Sequence, residues 1–211
     1  MIGPSLSYGW ETTKQNWRFL VTLMLLYGVI YAIPAMLSGN SANEFVAMIA
    51  TLVLWILELV MSMGLIAITL RIIDKKPVKY SDLFTTTEPL LQYLIVNILV
   101  ALIVMAGLIL LVVPGVYLAM RTSLASYYVI EKKMGAIESI KASFAATKGH
   151  SWDLFLLMLA LVGINLLGAL AFLLGLLLTI PVSMLAFAWV YRKLSGGHAP
   201  AVHAGHHVVA S

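Results

Sequence analysis

The sequence predicts an all-α, polytopic membrane protein with six transmembrane helices and amphipathic helices at the membrane surface. Of its 211 residues, 62% are hydrophobic and only 10% are charged, whereas a soluble domain carries about 25% charged residues. Its mean hydropathy is +0.99. A core of this length could not bury so much apolar surface, so we expect lipid to cover the remainder.

Six apolar runs within residues 1–195 define the predicted spans of a single domain. They cover about 20–37, 44–70, 90–113, 116–130, 152–174 and 175–191. The fourth run is the shortest, at roughly 22 Å as a helix. It therefore spans a thinned region, spans with its ends snorkelling, or re-enters the membrane on one side. Residues 196–211 are low in complexity and are predicted to be a disordered, His-containing tail.

The distribution of lysine and arginine predicts the orientation. Every basic residue except Arg121 lies before the first run or after the second, fourth or sixth run. The connectors after the other runs hold none. Because basic residues collect on the cytoplasmic side, we expect both termini to be cytoplasmic.

Two surface helices and three prolines suggest an internal repeat. Residues 1–18 form an amphipathic pattern, with Trp10 and Trp17 placed for the headgroup layer. Ser5–Lys14 resembles Ser139–Lys148, after which Trp152 is a third interfacial anchor. Together with Pro34, Pro114 and Pro181, these segments predict a threefold repeat of helical hairpins. The alternative is that prolines and tryptophans simply collect near membrane interfaces.

The stretch around Pro114 and Gly115 predicts the outer turn of the middle hairpin, because glycine adopts positive φ and proline suits a turn or a helix start. It also carries a family resemblance, through residues that follow it at fixed places: Arg121, Glu131, Glu138–Ser143, Lys148, Gly149 and Trp152. The chain resembles a family of uncharacterised bacterial six-helix membrane proteins. That family is related to the membrane domain fused to some glycerophosphodiester phosphodiesterases. The resemblance implies a location in the bacterial cytoplasmic (inner) membrane and no chemistry.

Two opposite charges lie well inside apolar runs and need an explanation. Glu58 is near the middle of the second run, and Arg121 is in the fourth. An ionisable residue at the centre of a membrane helix costs about 2.5–3.5 kcal/mol. We expect the two to form a buried pair. The alternatives are a site for a proton, ion or anionic headgroup, a protonated Glu58, or snorkelling side chains.

Other polar residues carry weaker signals. Asn97 and Asn165 are single amides in apolar runs, so we expect interhelical hydrogen bonds over substrate contacts. Gly107, Gly163, Gly168 and Gly175 are expected to permit close helix packing. The sequence has no cysteine and no nucleophile, phosphate-loop or metalloprotease motif. We therefore expect no enzyme activity, no metal and no cofactor.

These observations favour a non-catalytic membrane protein that acts through lipid or protein contacts. One version is an accessory subunit of a larger membrane complex. The expected partners are membrane lipids, with anionic headgroups at the cytoplasmic face, and another membrane protein, but no nucleic acid. The alternative is a small-solute or ion transporter or channel that uses Glu58 and Arg121.

Overall fold

The computed structural model describes residues 1–40, 43–85, 87–171 and 174–197, which are helical and contain no β-strand. The predicted all-α class is therefore confirmed. Most of the predicted His-containing tail, residues 198–211, lies outside the described residues. The helices are α1 Ile2–Gln15, α2 Trp17–Asn40, α3 Glu44–Ile73, α4 Asp82–Thr85, α5 Leu90–Leu110, α6 Val112–Thr122, α7 Ala125–Lys132, α8 Ala136–Ala146, α9 Ser151–Leu170 and α10 Leu176–Leu194.

Four of these helices (α3, α5, α9 and α10) are long and apolar enough to cross a membrane. A fifth candidate exists if α1 and the first part of α2, which meet at 90°, count as one span. Within the described ranges, the predicted six spans are therefore not confirmed. The apolar surfaces of these helices face outward, which fits a protein solvated by lipid.

The fourth predicted span, 116–130, is wrong as a single helix, because the chain breaks between α6 and α7. The Ser143 hydroxyl, on α8, donates to the Arg121 carbonyl at 2.7 Å and accepts from the Leu124 amide at 3.2 Å. Thr147 also donates to the Arg121 carbonyl, at 3.3 Å. These hydroxyls take the place of helical hydrogen bonds at the break. They therefore reduce the free-energy cost of interrupting the helix among apolar side chains.

The α5–α6 hairpin turns at Leu111, whose backbone is extended (φ −171°, ψ 159°). The predicted turn at Pro114 and Gly115 therefore lies too far along the chain. Pro114 occupies the first turn of α6. A backbone N–H at this position would have no partner within the helix, so proline is tolerated there. Gly115 does not have positive φ. Its role is close contact, since an added Cβ would lie 2.8 Å from the Leu108 amide nitrogen.

The α9–α10 hairpin uses the same device. A Cβ on Gly175 would lie 2.6 Å from the Gly168 Cα, so the two helices touch through glycine. Gly163, in contrast, has no atom within 4 Å of an added Cβ, and its predicted packing role is wrong. Pro181 lies inside the returning helix, because α10 begins at Leu176, and its side chain is buried there.

Helices α1 and α8, which the sequence predicts to be surface helices, bury equivalent residues. Ser5 and Thr13 of α1 are at most 1% exposed, and Ser139 of α8 and Thr147 just after it are completely buried. Each serine hydroxyl donates to the carbonyl three residues earlier, Ser5 at 2.9 Å and Ser139 at 2.8 Å. The two helices therefore match in structure as well as in sequence. A threefold repeat is not confirmed by this likeness between two segments.

A cluster of charges joins the C-terminal ends of three helices. Arg192 of α10 donates to Asp74, just after α3, at 2.8 Å and to Glu131 of α7. The fully buried Tyr191 donates its hydroxyl to the same Glu131. The Arg192 side chain is only 13% exposed. These contacts hold the ends of α3, α7 and α10 at one side of the molecule.

We expect Gly107→Ala to lower the thermal unfolding midpoint of the protein in detergent. The new Cβ would lie 2.7 Å from the Gly115 Cα, a backbone atom that cannot yield without separating α5 from α6. Overpacking of this kind costs about 1–3 kcal/mol. The matched control is Gly163→Ala, which has open space and should leave the midpoint unchanged or raise it. Equal effects of the two substitutions would contradict the proposed close contact.

We also expect Arg192→Gln to lower the free energy of unfolding by about 3 kcal/mol, because it leaves Glu131 without its cation and leaves Asp74 with only the exposed Lys76. Chemical denaturation in mixed micelles would measure the change. Lys193→Gln is the control, since this neighbouring lysine is exposed and lies over the Trp189 ring. A loss at Lys193 as large as that at Arg192 would show that general charge, rather than the ion-pair cluster, stabilises this side.

Candidate functional site

The candidate site is a groove between α3 and α5, open on one side, with a volume of about 700 Å³. We call it the α3–α5 groove. Its lining is mostly apolar, with four polar side chains among them. The lining residues are Leu52, Trp55, Ile56, Glu58, Leu59, Ser62, Tyr93, Leu94, Asn97, Ile98 and Ala101.

The polar side chains of the groove come in two pairs at helical spacing. Glu58 and Ser62 are four residues apart on α3, and Tyr93 and Asn97 are four apart on α5. Residues with this spacing share a helix face. The Tyr93 hydroxyl donates to the Ser62 hydroxyl at 3.1 Å, which links the two helices. Asn97 donates to the Tyr93 carbonyl of its own helix at 2.7 Å. In the described residues it makes no interhelical hydrogen bond, contrary to expectation.

Glu58 is the exceptional member of the groove. It lies 14 residues after the start and 15 before the end of α3, at the middle of the helix. Its side chain is exposed to the groove. Among the described residues it forms no ion pair, and no hydrogen bond satisfies its carboxyl group. A carboxyl group in this position needs a proton or a donor from outside the chain.

The groove exists because a third helix, α7, contacts both α3 and α5 next to it. Ala125 and Val129 of α7 form one buried cluster with Met63 of α3 and Val96 of α5. All four side chains are completely buried. Since α7 contacts both helices here, α3 and α5 need not close on each other along the adjoining face. The Tyr93–Ser62 hydrogen bond then forms the edge of the open groove.

Arg121 lies elsewhere, and its predicted pair with Glu58 is not formed. The guanidinium is 5.9 Å from the centre of the Tyr117 ring and 5.1 Å from that of Phe144. These rings belong to α6 and α8, whereas Glu58 faces the α3–α5 groove. The two do not pair because the end of α6 is bonded to α8 through Ser143 and the Arg121 guanidinium lies against Phe144 of that helix.

Asn165 lies in the packed contact between α9 and α10. Its side-chain amide donates to the Ser183 hydroxyl of α10 at 2.8 Å and to the Leu161 carbonyl at 2.9 Å. Ser183 in turn donates to the Thr179 carbonyl at 2.8 Å. Asn165 therefore joins two helices and does not line the α3–α5 groove.

The three tryptophans proposed as interfacial anchors all lie on the outside. Trp10 is 47% exposed, Trp17 is 51% exposed and Trp152 is 69% exposed. Lys14 lies over the Trp10 ring at 5.8 Å, and Arg18 over the Trp17 ring at 5.6 Å. An exposed indole beside a cation suits a headgroup layer, where apolar and charged groups meet.

Sequence reasoning missed two groove residues, Ser62 and Tyr93. Both were detectable, since each lies four residues from a polar residue that the sequence singled out. The groove contains hydroxyl, amide and carboxyl groups, which suit hydrogen bonding to a bound molecule. No group of three or more His, Asp and Glu residues that could hold a metal ion occurs in the part of the chain that the structure describes.

Comparison with known proteins gives relatives without an assigned activity. A family model described as "Protein of unknown function (DUF975)" matches residues 101–197. The chain is 26% identical over 225 aligned residues to the uncharacterized protein Rv2560 of Mycobacterium tuberculosis, covering 93% of this chain and 69% of that protein. The uncharacterized protein Mb2590 of Mycobacterium bovis matches with the same identity and coverage. No solved structure matches significantly. Over residues 101–197, which include Pro114, Arg121 and Trp152, the chain is thus similar to a family of unknown function.

Proposed function

We propose that the protein is a non-catalytic accessory subunit of a membrane complex, and that a transmembrane helix of its partner occupies the α3–α5 groove. The observation that carries this proposal is the Glu58 carboxyl, which has no partner in the described part of the chain and is exposed to the groove at the middle of α3. The partner helix would bring a hydrogen-bond donor or a basic side chain to it.

Depth distinguishes a partner helix from a lipid. The acyl chains of a lipid fill an apolar groove, but its polar groups lie at the membrane surface. Half of α3 is about 22 Å long, so a headgroup at either end does not reach Glu58 unless the helix lies far from upright. A transmembrane helix carries side chains at every depth and can place a donor beside Glu58.

The size of the groove also fits a helix. Its lining on α3 runs from Leu52 to Ser62, about 15 Å along the helix axis. Trp55 and Ile56 on this face are 70% and 52% exposed. Helix association in a membrane relies on van der Waals packing and interhelical hydrogen bonds, and the groove offers both an open packing surface and polar side chains.

The proposed orientation places both termini in the cytoplasm of a bacterium, with the helices in its cytoplasmic membrane. Arg192 gathers the C-terminal ends of α3, α7 and α10. Lys133, just after α7, pairs with Glu88, just before α5. Basic residues from separate connectors therefore share one side, as the positive-inside rule requires of a cytoplasmic face.

A transporter or channel is less well supported. A pathway built on the intramembrane polar residues needs them to line one cavity. Glu58 and Asn97 line the groove, whereas Arg121 stacks on Phe144 and Asn165 bonds to α10. The relation to the membrane domain fused to some glycerophosphodiester phosphodiesterases stays a prediction and adds no activity.

Site-specific photocrosslinking in native membranes tests the proposed partner helix. A photoreactive residue at Ile56, in the groove, should cross-link to one transmembrane segment with a donor or basic residue at the corresponding depth. The control position is Leu166 of α9, which is similarly exposed, at 60%, and does not line the groove. Exclusive cross-linking to lipid, or to a second copy of this chain, would contradict the accessory-subunit proposal.

We expect Glu58→Gln to reduce the Ile56 cross-link about tenfold, the loss typical of a charge-assisted hydrogen bond, and Glu58→Lys to abolish it. Because Glu58 has no partner among the described residues, Glu58→Gln should not lower the unfolding midpoint of the isolated protein. Retention of the full cross-link by both variants would show that the Glu58 carboxyl does not bind the partner.

A further inference from the structure

Arg121 is the basic residue that the charge distribution leaves unexplained, and its surroundings hold it in one place. Its backbone carbonyl accepts hydrogen bonds from Ser143 at 2.7 Å and from Thr147 at 3.3 Å. Its guanidinium lies against the rings of Tyr117 and Phe144. The side chain is half-buried between α6 and α8 and is therefore positioned before any ligand arrives.

This guanidinium has no counter-charge within the described residues. It joins no ion pair, although Arg71 and Arg192 each pair with carboxylates. Its Nε–H is buried against the protein and has no hydrogen-bond partner among the described residues. The side chain as a whole is only half-buried. A half-buried guanidinium without a counter-charge suits an acceptor supplied from outside the chain.

Two lysines extend the positive charge around Phe144. Lys141 is three residues before Phe144 and Lys148 four residues after it, a spacing that places all three on one face of α8 and its final turn. Both lysines are exposed, and neither forms an ion pair in the described part of the chain. Helical spacing therefore places both lysines on the face that carries Phe144, the ring against which the Arg121 guanidinium lies.

We propose that Arg121, Lys141 and Lys148 bind the phosphate group of an anionic phospholipid headgroup. A guanidinium presents N–H donors in a planar fork that matches phosphate oxygens, and two ammonium groups add charge without demanding fixed geometry. The aromatic rings and the half-buried position suit a ligand whose remainder is apolar. This site lies between α6 and α8, apart from the α3–α5 groove, and does not depend on its proposed occupant.

Lipid retention in detergent tests the site. The full chain is purified with a mixture of phosphatidylglycerol and phosphatidylcholine, and bound lipids are counted by native mass spectrometry. We expect the wild-type protein to retain phosphatidylglycerol in preference to phosphatidylcholine. Each basic residue near a membrane surface contributes about a fivefold gain in affinity for anionic lipid. Arg121→Gln should therefore lower phosphatidylglycerol retention at least fivefold and leave phosphatidylcholine retention unchanged.

Two further variants keep the test decisive if Arg121→Gln disturbs folding. Lys141→Gln with Lys148→Gln changes only exposed side chains and should lower phosphatidylglycerol retention more than tenfold by the same reasoning. Arg18→Gln is the control, because Arg18 is also a cation over an aromatic ring, that of Trp17, but lies at the α1–α2 junction. As a single cation near the membrane surface outside the site, it should lower retention no more than about fivefold, and less than the double variant does.

Three outcomes would overturn the proposal. The first is equal retention of phosphatidylglycerol by the wild type and the Lys141/Lys148 double variant. The second is an equal loss with Arg18→Gln, which would indicate general surface charge. The third is displacement of the lipid by millimolar inorganic phosphate, which would make free phosphate the ligand. A preference for phosphatidylglycerol that requires Arg121 and both lysines, and that survives phosphate, supports the proposed headgroup site.

Discussion

The ion pairs of Arg192 with Asp74 and Glu131 are the constraint on which the arrangement of the helices depends. One guanidinium ties the ends of α3, α7 and α10 together. Tyr191 adds a hydrogen bond to Glu131 and stacks on Tyr127 at 5.1 Å between ring centres. In a chain with few charges, partly desolvated pairs of this kind have large consequences, because each partner is costly to leave alone.

The position of α7 in turn determines the candidate site. Glu131 holds the end of α7 to α10, while Ala125 and Val129 pack against α3 and α5. Because α7 contacts both helices, α3 and α5 stay apart along the adjoining face. The groove between them exposes Glu58. Tertiary packing therefore leaves the Glu58 carboxyl without a partner among the described residues, which is costly for an ionisable group in a membrane helix.

The break between α6 and α7 explains how Arg121 became separate from that groove. In a continuous helix, every backbone amide would bond to a carbonyl of the same helix. At the break, the hydroxyls of Ser143 and Thr147 bond to the backbone instead. The same contacts bring Phe144 against the Arg121 guanidinium. Two polar residues that sequence reasoning joined as one pair thus lie apart, Glu58 in the α3–α5 groove and Arg121 between α6 and α8.

The sequence by itself determined the helical class, the apolar runs of the long helices and the matching segments that form α1 and α8, because these depend on composition and local periodicity. It also identified Glu58, Arg121, Asn97 and Asn165 as polar residues in apolar surroundings. The sequence alone did not reveal which residues these four side chains contact. Whether Arg121 meets Glu58 or Phe144 depends on a helix break made by a hydroxyl 22 residues later in the chain. Likewise, the groove depends on α7 and Arg192, which act over long sequence separations that no local pattern records.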